Sequence, residues 1–204
     1  MRLGIFGGSF DPVHLGHLAL ATCCQRQATL DQVWFTPAAV QPLKQDGPRA
    51  THEDRVAMLQ LALARQSQWQ LCQLELERGG VSFTVDTLRT ISAQCPMAEL
   101  YLLMGADTLR WLPSWKSPEA VCQLATPLVV HRDGEQAPDF SILTPWVTPQ
   151  RAREIEQQQI EMPAMQISSS QIRLQVAQGG SLEELVPAEV GQYIDARGLY
   201  RLGS

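Results

Sequence analysis

An α/β fold, a doubly wound parallel sheet with a helical C-terminal portion, is what this sequence predicts. Three observations carry the prediction. Strand-like and helix-like stretches alternate nearly from end to end, a pattern that places helices on both faces of a parallel sheet. Several candidate strands are continuous apolar runs, such as Leu100–Met104 (LYLLM), as expected for strands buried on both sides. The 204 residues, 45% hydrophobic and 18% charged, fit one globular domain over residues 1–204, its helical portion running from about 168 to 204.

Taken in order, Arg2–Phe6 is a short apolar run stopped by Gly7-Gly8 and reads as the first strand. A helical stretch follows from about His17 to the Gln25–Gln27 region, then a second strand at Gln32–Thr36, ended by Pro37. Residues 37–50 form a Pro- and Gln-bearing loop, long enough to suggest a functional role. Thr51–Arg65 is a helix with Thr51 as N-cap and Val56, Leu59 and Leu63 on one face. Alternation at Cys72, Leu74 and Leu76 predicts a strand over Leu71–Leu76, followed by a helix over Thr84–Ala93 and the strand Leu100–Met104. Ser117-Pro118-Glu119 places an N-cap, a first-turn proline and an acid in helix-starting order. Leu128–His131 is another strand, and Asp133–Pro149 reads as loop. The end is helical: Ser169–Gln178 stops at Gly179-Gly180, Ser181-x-x-Glu184 has the form of a capping box, and Pro187–Ala196 closes against Gly198.

Charge and cysteine usage narrow the function. Sixteen Lys and Arg against 21 Asp and Glu give a net charge of −5, without the positive excess of a sequence-independent nucleic-acid binder. Five scattered cysteines with no C-x-x-C pair argue against a disulfide framework and for a reducing compartment. No apolar run approaches a membrane span and the N-terminus is not a signal peptide, so a cytoplasmic protein is expected. The oligomeric state stays open, a homo-oligomer included.

The richest segment is Gly4–Leu18, GIFGGSFDPVHLGHL, which begins in a strand and ends by opening a helix. Gly7 and Gly8 let a ligand approach the backbone, and Asp11-Pro12 sets a turn. His14 and His17 fall on one side of the helix start, with Gly16 leaving room between them. Two imidazoles beside uncapped N–H groups suit a polyphosphate. A metal pair or two structural histidines are the competing readings, although no third ligand falls at zinc spacing and no metal is assigned. The glycines form neither G-x-G-x-x-G nor a P-loop. A second cluster, Ile167–Arg173 (ISSSQIR), puts three hydroxyls at a helix start, with Arg173 one turn on and able to reach a phosphate held there; a plain helix cap would also explain the serines. Arg55 and Arg132 suit phosphate contact and surface ion pairing equally well, while His52 and His131 read as structural.

GGSFDPVHLGHL resembles the H-x-G-H signature of the nucleotidylyltransferase superfamily, and ISSSQIR resembles its companion I-S-S-T-x-I-R. SFTVDTL (Ser82–Leu88), MGADTLRWLPSW (Met104–Trp115) and FTPAAVQPLK (Phe35–Lys44) are similar to segments of the bacterial nicotinate-nucleotide adenylyltransferases. The likeness covers essentially the whole chain and implies a Rossmann-like sheet of the nucleotidylyltransferase type. It also implies transfer of the adenylyl group of ATP, with Mg2+ on its phosphates, to nicotinate mononucleotide; another H-x-G-H enzyme, acting on nicotinamide mononucleotide or phosphopantetheine, is the alternative.

The resemblance assigns roles as follows. His14, His17, Lys44 and Arg173 would be catalytic, the histidines on the ATP phosphates and Lys44 reaching in from its loop. Gly7, Gly8, Ser9 and Phe10 would line the nucleotide pocket. Gly105 and Asp107 would meet the adenosine, and Ser169 and Ser170 the outer phosphates. Thr84 and Trp115 would flank the pyridine ring. The chain departs from the pattern at Gln41-Pro42-Leu43, where relatives carry Pro-Pro-His, and at Ser170, which stands for Thr.

Overall fold

In the computed structural model, which describes residues 1–42 and 47–201, alternation along each central strand sends side chains to two separate cores. On β1 (Arg2–Gly8), Leu3 and Ile5 face one way and Phe6 the other. On β4 (Glu99–Gly105), Leu100, Leu102 and Met104 oppose Tyr101 and Leu103. On β5 (Thr126–Arg132), Val129 opposes Leu128 and Val130. The first core is covered by α1 (Leu15–Gln27), α2 (His52–Leu63), α8 (Ser169–Ala177) and α9 (Ala188–Arg197). The second is covered by α4 (Thr84–Gln94), α5 (Ala106–Leu109), α6 (Pro118–Leu124) and α7 (Pro149–Gln157). A strand buried on both faces can afford no polar side chain without a partner, hence the apolar runs.

With β2 (Gln32–Pro37), β3 (Trp69–Leu71) and β6 (Ile160–Met162), the sheet has the order β3-β2-β1-β4-β5-β6, and every pairing is parallel. The predicted doubly wound sheet is therefore present. The strand order reverses between β1 and β4, the place where such sheets bind ligands. Pairing also stops short there. β1 stays bonded to β2 as far as Gly8–Pro37, and β4 to β5 as far as Gly105–Val130, but β1 and β4 part after Ile5–Leu102. The two central strands thus diverge over their last residues and leave a crevice.

Three expectations are corrected. The strand expected over Leu71–Leu76 is only Trp69–Leu71. After Cys72, whose N–H still reaches the Phe35 carbonyl at 2.9 Å, the chain coils into the short helix α3 (Leu74–Arg78). Leu-Glu-Leu-Glu-Arg is made of strong helix formers, and the alternation misled. Ser181 caps no helix: its Oγ accepts the Glu183 N–H at 3.1 Å, and Glu184 sits at φ +66. Pro187 disfavours helical backbone just before it, so the single turn closed by the Leu185 and Val186 N–H groups on the Leu182 carbonyl does not grow into a helix. The Asp133–Pro149 loop contains a buried 3-10 turn, Phe140–Leu143. α7 and β6 lie in a stretch for which no element was expected, and α1 begins at Leu15, capped by His14.

The C-terminal helix is locked to α2 by Asp54, which is 2% exposed. Its carboxylate accepts from Thr51 Oγ1 at 2.7 Å, Tyr193 Oη at 2.9 Å and Arg197 Nε at 3.1 Å. Burial pushes this carboxyl up, but the three donors outweigh it and hold the pKa below the ordinary carboxylate value. A carboxyl depressed in the folded state stabilises above its unfolded pKa, and that stability is lost as pH falls through the folded value. Urea unfolding should therefore show stability dropping as pH falls below about 3.9. Asp54→Asn should cost about 1–3 kcal/mol at neutral pH and flatten that acid limb.

Candidate active site

The chain leaves β1 at Gly8 directly beside the crevice. Gly7 is exposed at the end of a central strand, and a Cβ there, or at Gly105 across the gap, would meet nothing within 4 Å. No neighbouring side chain covers the backbone of either glycine at the crevice. A Cβ at Gly8 would instead come within 3.1 Å of the Phe10 ring. Phe10 takes a left-handed backbone, φ +47, and buries its ring edge-on against Phe6 (centroids 5.4 Å apart) and His17 (5.0 Å). Its contribution to any pocket is main-chain only, since its side chain is core.

His14 and His17 cap α1 with each other. His14 Nδ1 accepts the His17 N–H at 3.3 Å, and His17 Nδ1 accepts the His14 N–H at 3.2 Å. The rings stack with centroids 3.6 Å apart and planes 25° apart. An imidazole nitrogen that accepts a hydrogen bond carries no proton, so each neutral ring holds its proton on Nε2 as a donor. Gly16 is what permits this. A Cβ on it would lie 3.1 Å from His14 Nδ1, so the space between the histidines is filled by the His14 ring itself. His14 is 6% exposed; burial, aided by the charge of Arg132, lowers its pKa to about 4. At neutral pH it is a neutral donor, not a cation.

The second motif meets the first. Ser168 caps α8, its Oγ accepting the Gln171 N–H at 3.2 Å. Ser169 Oγ donates to the Pro12 carbonyl at 2.9 Å. Arg173 donates to the Asp11 carbonyl at 2.7 Å and to Ser170 Oγ at 3.1 Å. The two helix starts, about 155 residues apart in sequence, thus share one loop. The main-chain N–H groups of Ser169 and Ser170, which have no intrahelical acceptor, point from the start of α8. The Ser169 hydroxyl is committed to Pro12, so what it has to offer an anion is its backbone.

The remaining predicted residues spread around the crevice. Gly105 ends β4 and caps α5, whose Asp107 is exposed and paired with Arg110 at 3.4 Å. Thr84 opens α4 behind Phe83, which provides no side-chain cap. Trp115 is half-buried, packed with Phe83 against the second core. Lys44 lies outside the described residues, as does Leu43. The parts of that loop that are described are pinned at both ends: Val40 O accepts Ser82 N at 2.8 Å, and the Arg49 and Ala50 N–H groups meet Asp11. Arg132 is ion-paired with Glu135 at 3.3 Å, and His131 Nε2 lies 3.0 Å from the Glu135 carbonyl in the same turn.

Sequence reasoning missed Asp11 as anything more than a turn residue, and it undervalued Arg55. Arg55 is fully buried, not a surface ion-pairing residue. Its Nη1 donates to the Ser9 carbonyl at 2.7 Å, and among the described residues no acceptor meets its Nε or Nη2. Burial lowers its pKa, with Asp11 and Tyr200 acting in the opposite sense. Its signal was positional: Arg55, Met58 and Leu59 occupy one buried helix face. A polar cavity of about 380 Å³ between Arg2, Gln27, Tyr101 and Gln158 opens at the other end of the strands, where Arg2 donates to the Ala28 carbonyl, Gln27 to that of Glu161 and Tyr101 to Glu99.

Comparison with known proteins decides the family. The cytidylyltransferase-like family model matches residues 5–175. A protein of Rhodopirellula baltica named "probable nicotinate-nucleotide adenylyltransferase" is 40% identical over 200 residues, covering 98% of this chain and 94% of its own. The chain belongs to the nicotinate-nucleotide adenylyltransferase family. A Thermus thermophilus member is also 40% identical, over its whole length and 98% of this chain. Among solved structures, the Plasmodium falciparum nicotinic acid mononucleotide adenylyltransferase complexed with NaAD superposes with a TM-score of 0.74 at 20% identity, covering 98% of this chain and 97% of its own. A putatively named Vibrio parahaemolyticus relative gives 0.70 at 18%; these two agree in fold. Family membership accounts for the motifs, and the geometry adds how this member arranges them.

The reciprocal cap makes a checkable statement about protonation. Side-chain 15N–1H correlation spectra recorded against pH should show His14 neutral, with its proton on Nε2, through the neutral range and titrating near 4. Because this value lies below the unfolded one, stability should fall as pH drops from about 6.5 towards 4. A His14 that titrates above 6 would contradict the cap.

Proposed function

We propose that this protein transfers the adenylyl group of ATP to nicotinate mononucleotide, releasing pyrophosphate and nicotinate adenine dinucleotide. The observation that carries the reading is the meeting of the two motifs at the diverging ends of β1 and β4, where exposed glycine backbone, the stacked His14–His17 pair and a second helix start come together. The 5′-phosphate of the mononucleotide is already an anion, so its oxygen attacks the α-phosphorus without a general base. The bond from that phosphorus to the bridging oxygen breaks, and the electrons leave with pyrophosphate.

The work left to the protein is alignment of two anions and stabilisation of charge on the transferring group. His14 and His17 donate from Nε2 to phosphate oxygens. As a neutral ring of low basicity, His14 acts as a hydrogen-bond donor and gives up no proton. Positive potential comes from the starts of α1 and α8 and from Arg173. Gly7, Gly8, Ser9 and Phe10 offer main-chain groups to the nucleotide, Gly105 and Asp107 stand at the adenosine, and Ser169 and Ser170 present N–H groups to the outer phosphates. Lys44 is proposed to join them. Magnesium would neutralise the triphosphate, held by phosphate oxygens and water.

Preference for the acid rests on α4. Its first N–H groups lie behind Phe83, which has no capping oxygen, so they are available to a carboxylate, whereas an amide NH2 would set donor against donor. Thr84 and Trp115 are proposed to hold the ring there. Residues 1–204 are taken as one catalytic unit, since α8 and α9 cover the same core as α1 and α2. A cytoplasmic setting is consistent with five free cysteines and with the finding that no helix among the described residues is long and apolar enough to cross a membrane.

The test is pyrophosphate and dinucleotide formation from ATP and magnesium with nicotinate mononucleotide, run beside nicotinamide mononucleotide. Strong preference for the acid is expected; equal use of both would remove the role given to α4, and no product from either would overturn the reading. His14→Ala should lower kcat by about 10²–10³-fold, with its Tm measured alongside.

A further inference from the structure

Apart from the groups that would touch substrate, the Ser9–Pro12 segment collects an unusual number of partners. Asp11 is 3% exposed. Its Oδ1 accepts Tyr200 Oη at 2.7 Å and the Ala50 N–H at 3.1 Å, and its Oδ2 accepts the Arg49 N–H at 2.8 Å. Arg173 Nη1 binds the Asp11 carbonyl and lies 3.8 Å from Oδ2. Two residues earlier, Arg55 holds the Ser9 carbonyl; one residue later, Ser169 holds that of Pro12. Ser9, Asp11 and Pro12 are thus fixed from α2, α8, the loop before α2 and the segment after α9.

We propose that Tyr200 is a positioning residue for the imidazole pair, acting through Asp11 on the segment that carries His14 and on the guanidinium of Arg173. The inference rests on the adenylyltransfer reading for its kinetic consequence and on the hydrogen bonds above for its physical one. Of the donors on the Asp11 carboxylate, Tyr200 gives the shortest contact and is the only side-chain hydroxyl among the described residues. Without it, Oδ1 is left with a single main-chain donor at 3.1 Å, and a buried carboxylate oxygen that is under-supplied will turn to find another. Turning the carboxylate shifts the Asp11 carbonyl that orients Arg173 and the Pro12–Val13 link to the helix cap.

The C-terminus is built to deliver this hydroxyl. α9 ends at Gly198, φ +63, and the Leu199 N–H returns to the Ile194 carbonyl at 3.0 Å, a glycine-closed helix end. Tyr200 itself sits at φ +65, a backbone that a tyrosine adopts only where its surroundings require it. Tyr193 and Arg197 meanwhile fix α9 against Asp54 on α2. Burial and the neighbouring Asp11 carboxylate both push the Tyr200 hydroxyl up, so it stays protonated and a donor.

Tyr200→Phe keeps the ring and removes the donor. Measured well below its Tm, it should lower kcat roughly 10- to 100-fold, the scale of a displacement of about 1 Å at reacting groups, while KM for the mononucleotide stays within about twofold. Asp11→Asn should fall similarly, and the double variant should be no worse than the poorer single one, because both break one link. The 15N shifts of His14 and His17, read without substrate, should move in folded Tyr200→Phe. Unchanged kcat, unchanged histidine shifts, or losses that multiply in the double variant would each overturn the inference. Wild-type protein that forms no dinucleotide would instead sink the functional reading, and the histidine shifts would then decide this one alone.

Discussion

A carboxylate taken out of water has to be met by donors, and meeting Asp11 is what pulls this site into shape. Its partners come from a loop more than thirty residues later, from α8 and from the last turn of the chain. Together they hold a segment that contains a left-handed phenylalanine and leads straight into a helix cap. The cap then does two jobs at once, satisfying the His17 N–H at the start of α1 and committing the Nδ1 of each imidazole as an acceptor. A side chain at position 16 would crowd the ring that caps the helix, at 3.1 Å from His14 Nδ1.

Electrostatically, the site is unusual in what it leaves uncharged. His14 is neutral because it is buried near another cation, so positive potential is left to backbone termini and to arginine. That suits a reaction whose reactants are all anions and whose steps require no proton transfer. A site of cations would bind triphosphate tightly in its ground state; oriented neutral donors respond to where charge develops. Arg55 sits behind the same loop with the Ser9 carbonyl as its one hydrogen-bond acceptor among the described residues, a buried positive charge that the Asp11 carboxylate helps to offset.

Much of this was legible in the sequence. The apolar runs reported strands buried on both faces because in this fold that is their only environment, and the parallel doubly wound order followed. The two motifs, whose glycine, histidine and arginine at those spacings have few structural uses together, do meet in the fold. What failed was short-range pattern reading where tertiary contacts decide. Cys72, Leu74 and Leu76 alternate like a strand, yet α3 places buried Glu75 against Thr87. Thr148-Pro149 carried a helix start that the surrounding polar sequence obscured. Arg55 and Tyr200 were illegible for another reason: their importance lies in partners 46 and 189 positions away, and no local pattern encodes that.

The last of those separations bears on the order in which the fold can assemble. The glycine- and histidine-bearing loop leaves the ribosome 189 residues ahead of the hydroxyl that gives Asp11 its shortest hydrogen bond. Until Tyr200 has been added and α9 has docked, that loop holds a carboxylate short of one donor. Truncation ahead of Tyr200 would therefore leave every residue of both motifs in the chain and still remove a contact on which the first motif closes.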